Sequence, residues 1–133
     1  MANSLVEFLM ENPVDNLTEQ VTVSERLKDY PFTIRAMTGP EFQNYQNIAT
    51  AIGKKNKIRF DSKKYNELVI LNHVVTPDFK NAETLRTAGF QRPEDFLYKS
   101  LLAGEIAELA SKISDLSGFE REEEEAAEEA KND

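Results

Sequence analysis

The sequence contains no cysteine and only one histidine among its 133 residues. The absence of cysteine excludes disulfide bonds, thiolate metal ligands, iron–sulfur clusters and cysteine nucleophiles. The longest nearly apolar run, 68–75, is interrupted by Asn72 and His73 and is far too short to span a bilayer. Because no basic residue precedes the first apolar residues, we expect no secretory signal and a soluble, cytoplasmic protein.

Charge is distributed unevenly along the chain. The 16 basic and 24 acidic residues give a net charge of −8, and eight of the acids but only two of the bases lie within residues 120–133. This segment has no large apolar residue, so ordering it would cost about 1–2 kcal/mol per residue with little burial in return. We predict one folded domain over residues 1–119 and a disordered acidic tail over 120–133. A solubilising role is typical of such tails, and an interaction segment is the alternative.

One stretch of the chain is basic. Six bases lie within eleven residues, opposed only by Asp61, and they are Lys54, Lys55, Lys57, Arg59, Lys63 and Lys64. A solvated loop is the simplest interpretation, and contact with phosphates or with the acidic tail are the alternatives. Nucleic-acid binding is disfavoured because no nucleic-acid motif accompanies the stretch and the whole chain is acidic.

Alternating apolar residues predict two strands in the N-terminal part. Segments 19–27 and 32–37 each place apolar side chains on one side, and 28–31 supplies a turn, so we predict an antiparallel β-hairpin. A hairpin is marginally stable alone, and its apolar face is therefore expected to pack on helices or further strands. A short peripheral helix is predicted before it, over 5–11.

Apolar residues at helical spacing predict five further helices. The segment from Thr38 to Glu41 has the pattern of a capping box, so a helix begins there and ends before Gly53. The next helix runs from Asp61 or Ser62 to Val75 and is apolar nearly all round, which indicates a central position, with a strand as the alternative for its second half. Three more follow over 81–87, 93–102 and 105–116. Ala82 and Leu85 of the first are predicted to point inward. The last has Glu105 outside a single apolar stripe, which consists of Ile106, Leu109, Ala110, Ile113 and Leu116. The predicted fold class is α+β, with an N-terminal β-hairpin packed on a mainly α-helical domain.

No pattern of residues predicts catalysis. His73 could act as a general base or a metal ligand. The residues three and four positions away offer no carboxylate or second ligand, and they are Val69, Ile70, Thr76 and Pro77. A packing role is therefore favoured. Since nucleophile-elbow, dinucleotide, phosphate-loop and calcium-loop motifs are also missing, we predict no enzyme activity, no catalytic residues, no cofactor and no metal.

Four segments, read in order, carry a specific resemblance. They are SLVEFLMENPVDN, VSERLKDYPFTIRAMTGPEF, HVVTPDFKNAETLRTAG and GEIAELASKISDLSGF, within residues 4–119. The sequence resembles the XkdN-like tail assembly chaperones of long-tailed phages and prophages, with a shorter turn at 28–31 than expected for them. The resemblance implies a cytoplasmic chaperone in the bacterial host cell. Such a protein binds the tape measure protein while the tail tube polymerises around it, and is absent from the mature virion.

A chaperone for a helical client needs apolar surface beyond its own core. Bulky apolar residues at or near breaks between the predicted helices are the candidate client-binding residues, namely Phe79, Phe90, Phe96, Leu97, Leu101 and Phe119. Core packing is the alternative for each of them. The implied partners are the tape measure protein and the tail tube protein, with no membrane, and a homo-oligomer is left open. Alternative functions are a structural tail or head-completion component of the virion and a nucleic-acid-binding regulator that uses residues 54–64.

Overall fold

The computed structural model describes residues 4–52 and 57–119. Within these ranges the predicted α+β fold is confirmed, and the predicted acidic tail and residues 53–56 of the basic stretch lie outside them. The helices are α1 (Ser4–Glu11), α2 (Gly39–Ala49), α3 (Ser62–His73), α4 (Ala82–Ala88), α5 (Pro93–Ser100) and α6 (Ala103–Leu116). The strands are β1 (Thr18–Val21), β2 (Phe32–Arg35), β3 (Thr50–Ile52), β4 (Ile58–Phe60) and β5 (Val74–Thr76).

The main sheet contains the predicted hairpin and one further strand. β1 and β2 are antiparallel with Val21 opposite Phe32, and β5 pairs with the other edge of β2 in the order β1–β2–β5. The prediction that the helix continues to Val75 is wrong, because α3 ends at His73. Val74 and Val75 are β-branched, and the residue before a proline is disfavoured in a helix, so the chain becomes extended before Pro77.

β1 is shorter than predicted. The strand predicted over 19–27 ends at Val21, and the chain then turns, with the Leu27 amide donating to the Ser24 carbonyl. The predicted turn over 28–31 is therefore too short. Ser24 and Arg26 leave the strand direction because their side chains bond to Glu105 on α6.

A second hairpin follows α2. The helix begins with the predicted capping box, in which Thr38 accepts from the Glu41 amide and Glu41 accepts from the Thr38 amide. The prediction that it continues to Gly53 is wrong, because it ends at Ala49 and Thr50 pairs with Phe60 across β3 and β4. Part of the predicted basic loop is therefore a strand, as its β-branched and aromatic residues allow.

α3 lies at the centre of the helical part and packs against α2, α5 and α6. Its Val69 and Ile70 are buried together with Ile34 of β2 and with Leu109 and Ile113 of α6. The predicted central position of this helix and the predicted apolar stripe of α6 are confirmed. The hairpin of β1 and β2 thus shares one core with the helices.

The last three helices lie within two residues of their predicted bounds. α5 ends at Ser100 rather than 102, and α6 begins at Ala103 rather than 105. Leu85 of α4 is buried as predicted, and Gly89 ends that helix with a left-handed φ of 85°. Ala82 is exposed, contrary to prediction, because it is the first residue of its helix and lies beside the cap Asn81.

Candidate functional site

α1 exposes a broad apolar face. None of its residues is buried, and five large apolar side chains are 54–76% exposed, namely Leu5, Val6, Phe8, Leu9 and Met10. At about 100° per residue these side chains cover about 200° of the helix circumference, with Glu7 and Glu11 on the remaining side. A contiguous exposed apolar face of this kind is typical of a surface that binds another protein.

The apolar surface continues beyond α1. Pro13 follows the helix, and a short 3₁₀ turn at Val14–Asn16 leads into β1. Phe8, Pro13, Val14 and Leu17 line a cavity of about 460 Å³ at this bend. We call Leu5, Val6, Phe8, Leu9, Met10, Val14 and Leu17 together the N-terminal apolar surface. From the sequence this segment was predicted only as a peripheral helix, although its wide apolar arc was a usable signal for a binding site.

Three of the six candidate client-binding residues are buried. Phe79 is 1% exposed, Leu97 is fully buried and Leu101 is 9% exposed, so they present almost no surface to a partner in this conformation. The Phe79 ring meets the Phe96 ring at a centroid distance of 5.1 Å and an angle of 62°. These three residues therefore belong to the core, which is the alternative that the sequence left open.

Phe90 and Phe96 are brought together between α4 and α5. Both are half-buried, and their rings stack with centroids 5.4 Å apart. Phe96 lines a cavity of about 570 Å³ with Asp78 and Thr87, and Phe90 lines another of about 490 Å³ with Tyr98. We call Phe90 and Phe96, together with Asp78, Thr87 and Tyr98 from the lining of these cavities, the Phe90–Phe96 surface.

Phe119 lies elsewhere. Its side chain is 44% exposed, and its ring packs on that of Phe42 in α2 with centroids 4.8 Å apart. The accessible candidates are therefore Phe90, Phe96 and Phe119, of which the first two share a surface.

The single histidine is buried and lies beside partly exposed charged residues. Tyr45 Oη and His73 Nε2 are 2.7 Å apart, and Glu41 Oε2 lies 3.9 Å from the same nitrogen. Arg35 pairs with Glu41 at 3.1 Å and also donates to the Asn72 carbonyl. The residues three and four positions from His73 gave no sign of these partners, because the partners come from β2 and α2.

The charges in this cluster follow from burial and pairing. Burial and the nearby Arg35 charge lower the pKa of His73 to about 4, and burial raises the pKa of Tyr45 to about 12. Burial disfavours ionised Glu41, but hydrogen bonds from Arg35 and Thr38 outweigh it and lower the pKa of Glu41 to about 2. At neutral pH a neutral histidine therefore packs beside a Glu41–Arg35 ion pair. Because His73 is fully buried, its imidazole is not accessible to a solvent-borne substrate in this conformation.

Glu105 joins the β1–β2 connection to the start of α6. Its side chain is 3% exposed and accepts hydrogen bonds from Ser24 Oγ at 2.6 Å, Arg26 Nε at 3.0 Å and the Leu102 amide at 2.7 Å. The Arg26 hydrogen bond, followed by those from Ser24 and Leu102, lowers the pKa of Glu105 to about 2. The sequence predicted Glu105 outside the apolar stripe of its helix, and the structure shows that it is nevertheless buried.

Glu105→Gln should lower the melting temperature by several degrees at pH 7, because the amide cannot pair with the Arg26 guanidinium. The lowered pKa means that ionised Glu105 stabilises the folded state fully above pH 4.5, the ordinary value, and less as the pH falls towards about 2. The difference between variant and wild type should therefore shrink over this range. Thermal melts followed by circular dichroism at pH 7, 4.5, 3 and 2 would measure it.

Glu25→Gln provides a matched control. Glu25 makes an exposed ion pair with Lys28 at 3.2 Å, and exposed pairs contribute about 0–1 kcal/mol. Its melting temperature should stay close to that of the wild type. Equal losses in the two variants would contradict a special role for Glu105.

Within residues 4–52 and 57–119 every helix is too short or too polar to span a lipid bilayer. Nor do these residues contain a group of three or more histidine or acidic side chains that could hold a metal ion.

Exposed apolar surfaces of this size are typical of proteins that bind other proteins. The sequence matches the family model of the phage XkdN-like tail assembly chaperone protein over residues 5–131. The chain therefore belongs to this family of tail assembly chaperones, and the resemblance seen in the sequence is confirmed.

Comparison with other proteins adds evidence for the fold alone. The crystal structure of a protein named YqbN has a TM-score of 0.60 to this chain at 22% identity, over 77% of this chain and 85% of that chain. At this identity the likeness shows the fold and no more. No curated protein matches the chain significantly.

Proposed function

We propose that this chain is a phage or prophage tail assembly chaperone that binds the tape measure protein and keeps it soluble while the tail tube assembles. Membership of the family supports the general role. The observation that carries client binding is the N-terminal apolar surface, whose side chains are 45–76% exposed within the described part of the chain. In this proposal the tail tube protein is a further partner.

The N-terminal apolar surface is suited to a helical client. Leu5, Phe8 and Leu9 have the i, i+3, i+4 spacing by which one amphipathic helix anchors on another, and Val6 and Met10 form a second row. Two rows of anchors allow α1 to pack between two client helices rather than against one. Tape measure proteins are expected to be long and helical, with apolar stripes that stay unpaired until the tube encloses them.

The size of α1 favours reversible binding. A large apolar side chain contributes at most about 1.5–3 kcal/mol on full burial, and an association cost of about 4–15 kcal/mol in lost freedom of motion offsets much of what the five side chains of α1 can gain. Eight helical residues therefore support a contact that several copies can make along one client and later release. The Phe90–Phe96 surface and Phe119 are proposed as secondary client contacts.

The remaining parts of the proposal follow from this role. The protein acts in the cytoplasm of the bacterial host, performs no catalysis, needs no cofactor and leaves before the virion is complete. Its net charge of −8 keeps client complexes apart by repulsion.

Co-expression tests the proposal directly. Co-expression of this chain with the tape measure protein of the same phage should give a several-fold larger soluble fraction of the tape measure protein than expression of that protein alone, as measured by quantitative blotting. An unrelated acidic protein of similar size is the control for a general effect of expression. Equal solubility with and without this chain would contradict the proposal.

Mass spectrometry of purified virions separates the chaperone from a structural component. The chaperone should be absent or present in traces. Persistence at stoichiometric copy number would instead assign the chain to the particle.

A further inference from the structure

Four exposed bases lie on and beside the β3–β4 hairpin. Lys57 precedes β4, Arg59 lies within it, and Lys63 and Lys64 lie in the first turn of α3. We call these four residues the basic face. In the described part of the chain none of them forms an ion pair, although Lys63 Nζ lies 5.0 Å from the centre of the Tyr98 ring.

Lys57 and Arg59 are the most available of the four. Their two-residue spacing places both side chains on the same face of the strand, with Ile58 and Phe60 on the other. The residue opposite Arg59 is Ala51, which is small and uncharged, so no cross-strand side chain neutralises the guanidinium. Counting Asp61, residues 57–64 carry a net charge of +3.

The C-terminal end of the described chain lies near the β3–β4 hairpin, on the side of Phe60. A row of aromatic rings joins the two places, with centroid distances of 4.8 Å from Phe119 to Phe42, 6.2 Å from Phe42 to Tyr65 and 5.6 Å from Tyr65 to Phe60. The Phe119 ring therefore lies within about 17 Å of the Phe60 ring.

We infer that residues 120–133 dock on the basic face of the same chain. These fourteen residues carry a net charge of −6 and can span up to about 45 Å when extended, well beyond the ~17 Å that separates Phe119 from Phe60 of the hairpin that carries the basic face. They contain no large apolar side chain, so the contact is made by charge and leaves Ile58 and Phe60 uncovered. A tethered segment has a high effective concentration at its own target, and this favours docking within one chain over docking between chains.

Docking of this kind would keep the basic face from the nucleic acids of the cell. Phosphates compete for lysine and arginine because each contact releases condensed counterions. The acidic segment occupies the same lysine and arginine side chains. The apparent affinity of the basic face for phosphates is therefore reduced in proportion to the fraction of time during which the face is free. This inference concerns a different surface from the N-terminal apolar surface and does not depend on the proposed function.

NMR on the full chain tests the inference. In a ¹⁵N-labelled variant, glutamine replaces six glutamates of the segment, in the substitutions E122Q, E123Q, E124Q, E125Q, E128Q and E129Q. The amide signals of Lys57, Arg59, Lys63 and Lys64 should shift relative to the wild type at 50 mM salt, and 0.5 M salt should remove most of the difference. The variant E7Q/E11Q, which removes two acids from α1, is the control and should leave these signals unchanged.

Two further measurements test whether a second copy of the chain or a nucleic acid occupies the basic face. Unlabelled wild type mixed with the labelled variant should cause no shift at 50 µM, whereas a shift would show docking between chains. A single-stranded oligothymidylate of 20 nucleotides should bind the six-glutamine variant about tenfold more tightly than the wild type, as expected for a face that is occupied about nine-tenths of the time. Equal affinity for the two chains, or unchanged signals of the basic face in the variant, would overturn the inference.

Discussion

Phe8→Asp should abolish solubilisation of the tape measure protein in the co-expression assay and leave the folding of this chain almost unchanged. Phe8 is 60% exposed at the edge of the α1 apolar face, and the aspartate would have to lose its hydration when a client covers that face. An unpaired buried carboxylate costs several kcal/mol. Since 1.4 kcal/mol changes an affinity tenfold, we expect at least about a hundredfold weaker binding.

The stability of the chain itself gives the second half of this test. A substitution at an exposed site away from core contacts changes the free energy of unfolding by about 0.5 kcal/mol or less. Urea titration of Phe8→Asp should therefore give a midpoint close to that of the wild type. Such a result separates loss of client binding from loss of folding.

Tyr30→Asp is the matched control. Tyr30 is also a strongly exposed aromatic residue, at 72%, but it lies in the connection between β1 and β2 rather than on α1. This variant should keep the client as soluble as the wild type does. If Phe8→Asp also kept the client soluble, the N-terminal apolar surface would not be the client site, and the Phe90–Phe96 surface would be tested next.

Phe79→Ala should lower the free energy of unfolding by about 3–5 kcal/mol, the usual cost of removing a buried aromatic ring. The ring is 1% exposed and makes an edge contact with Phe96, so its loss leaves a cavity and an unpaired neighbour. Since domains are stable by about 5–15 kcal/mol, the variant should unfold at a much lower urea concentration. Urea titration followed by circular dichroism measures the change.

Phe90→Ala is the comparison within the same aromatic group. Phe90 is half-buried and stacks on Phe96 from the surface side, so we expect a loss of about 1 kcal/mol. Because this variant stays folded, a smaller soluble fraction of the client with Phe90→Ala than with the wild type would show that the Phe90–Phe96 surface contacts the client. Similar losses of stability in Phe79→Ala and Phe90→Ala would contradict the different burial of the two rings.

Local signals in the sequence predicted several elements well. The Thr38 capping box, the alternation around Phe32 and the apolar stripe of α6 each depend on neighbours within a few residues, and each was confirmed. The ends of α2 and α3 were mispredicted because helical spacing continued past Ala49 and His73. After Ala49 the chain pairs with β4 in a hairpin, and after His73 it pairs with the distant strand β2, so strand pairing decided the conformation in both places.

The candidate site was only partly predictable for the same reason. The six client-binding candidates are all bulky and apolar, and nothing in the local sequence separates the buried Phe79 from the half-buried Phe90. Burial depends on which helices meet. The α1 segment could have been recognised as a surface, because its apolar arc is wider than one packing face requires and Pro13 separates it from the next element.

The sequence by itself determined the class of fold, the charge asymmetry and membership of the chaperone family, because composition, periodicity and motifs are local properties of the chain. Only the tertiary structure decided that Glu105 is buried, that His73 meets Tyr45 and Glu41, and that the apolar face of α1 stays exposed. Each of these outcomes depends on contacts between residues far apart in sequence. Such contacts are set by the packing of whole elements and by the competition between burial and hydration at each side chain.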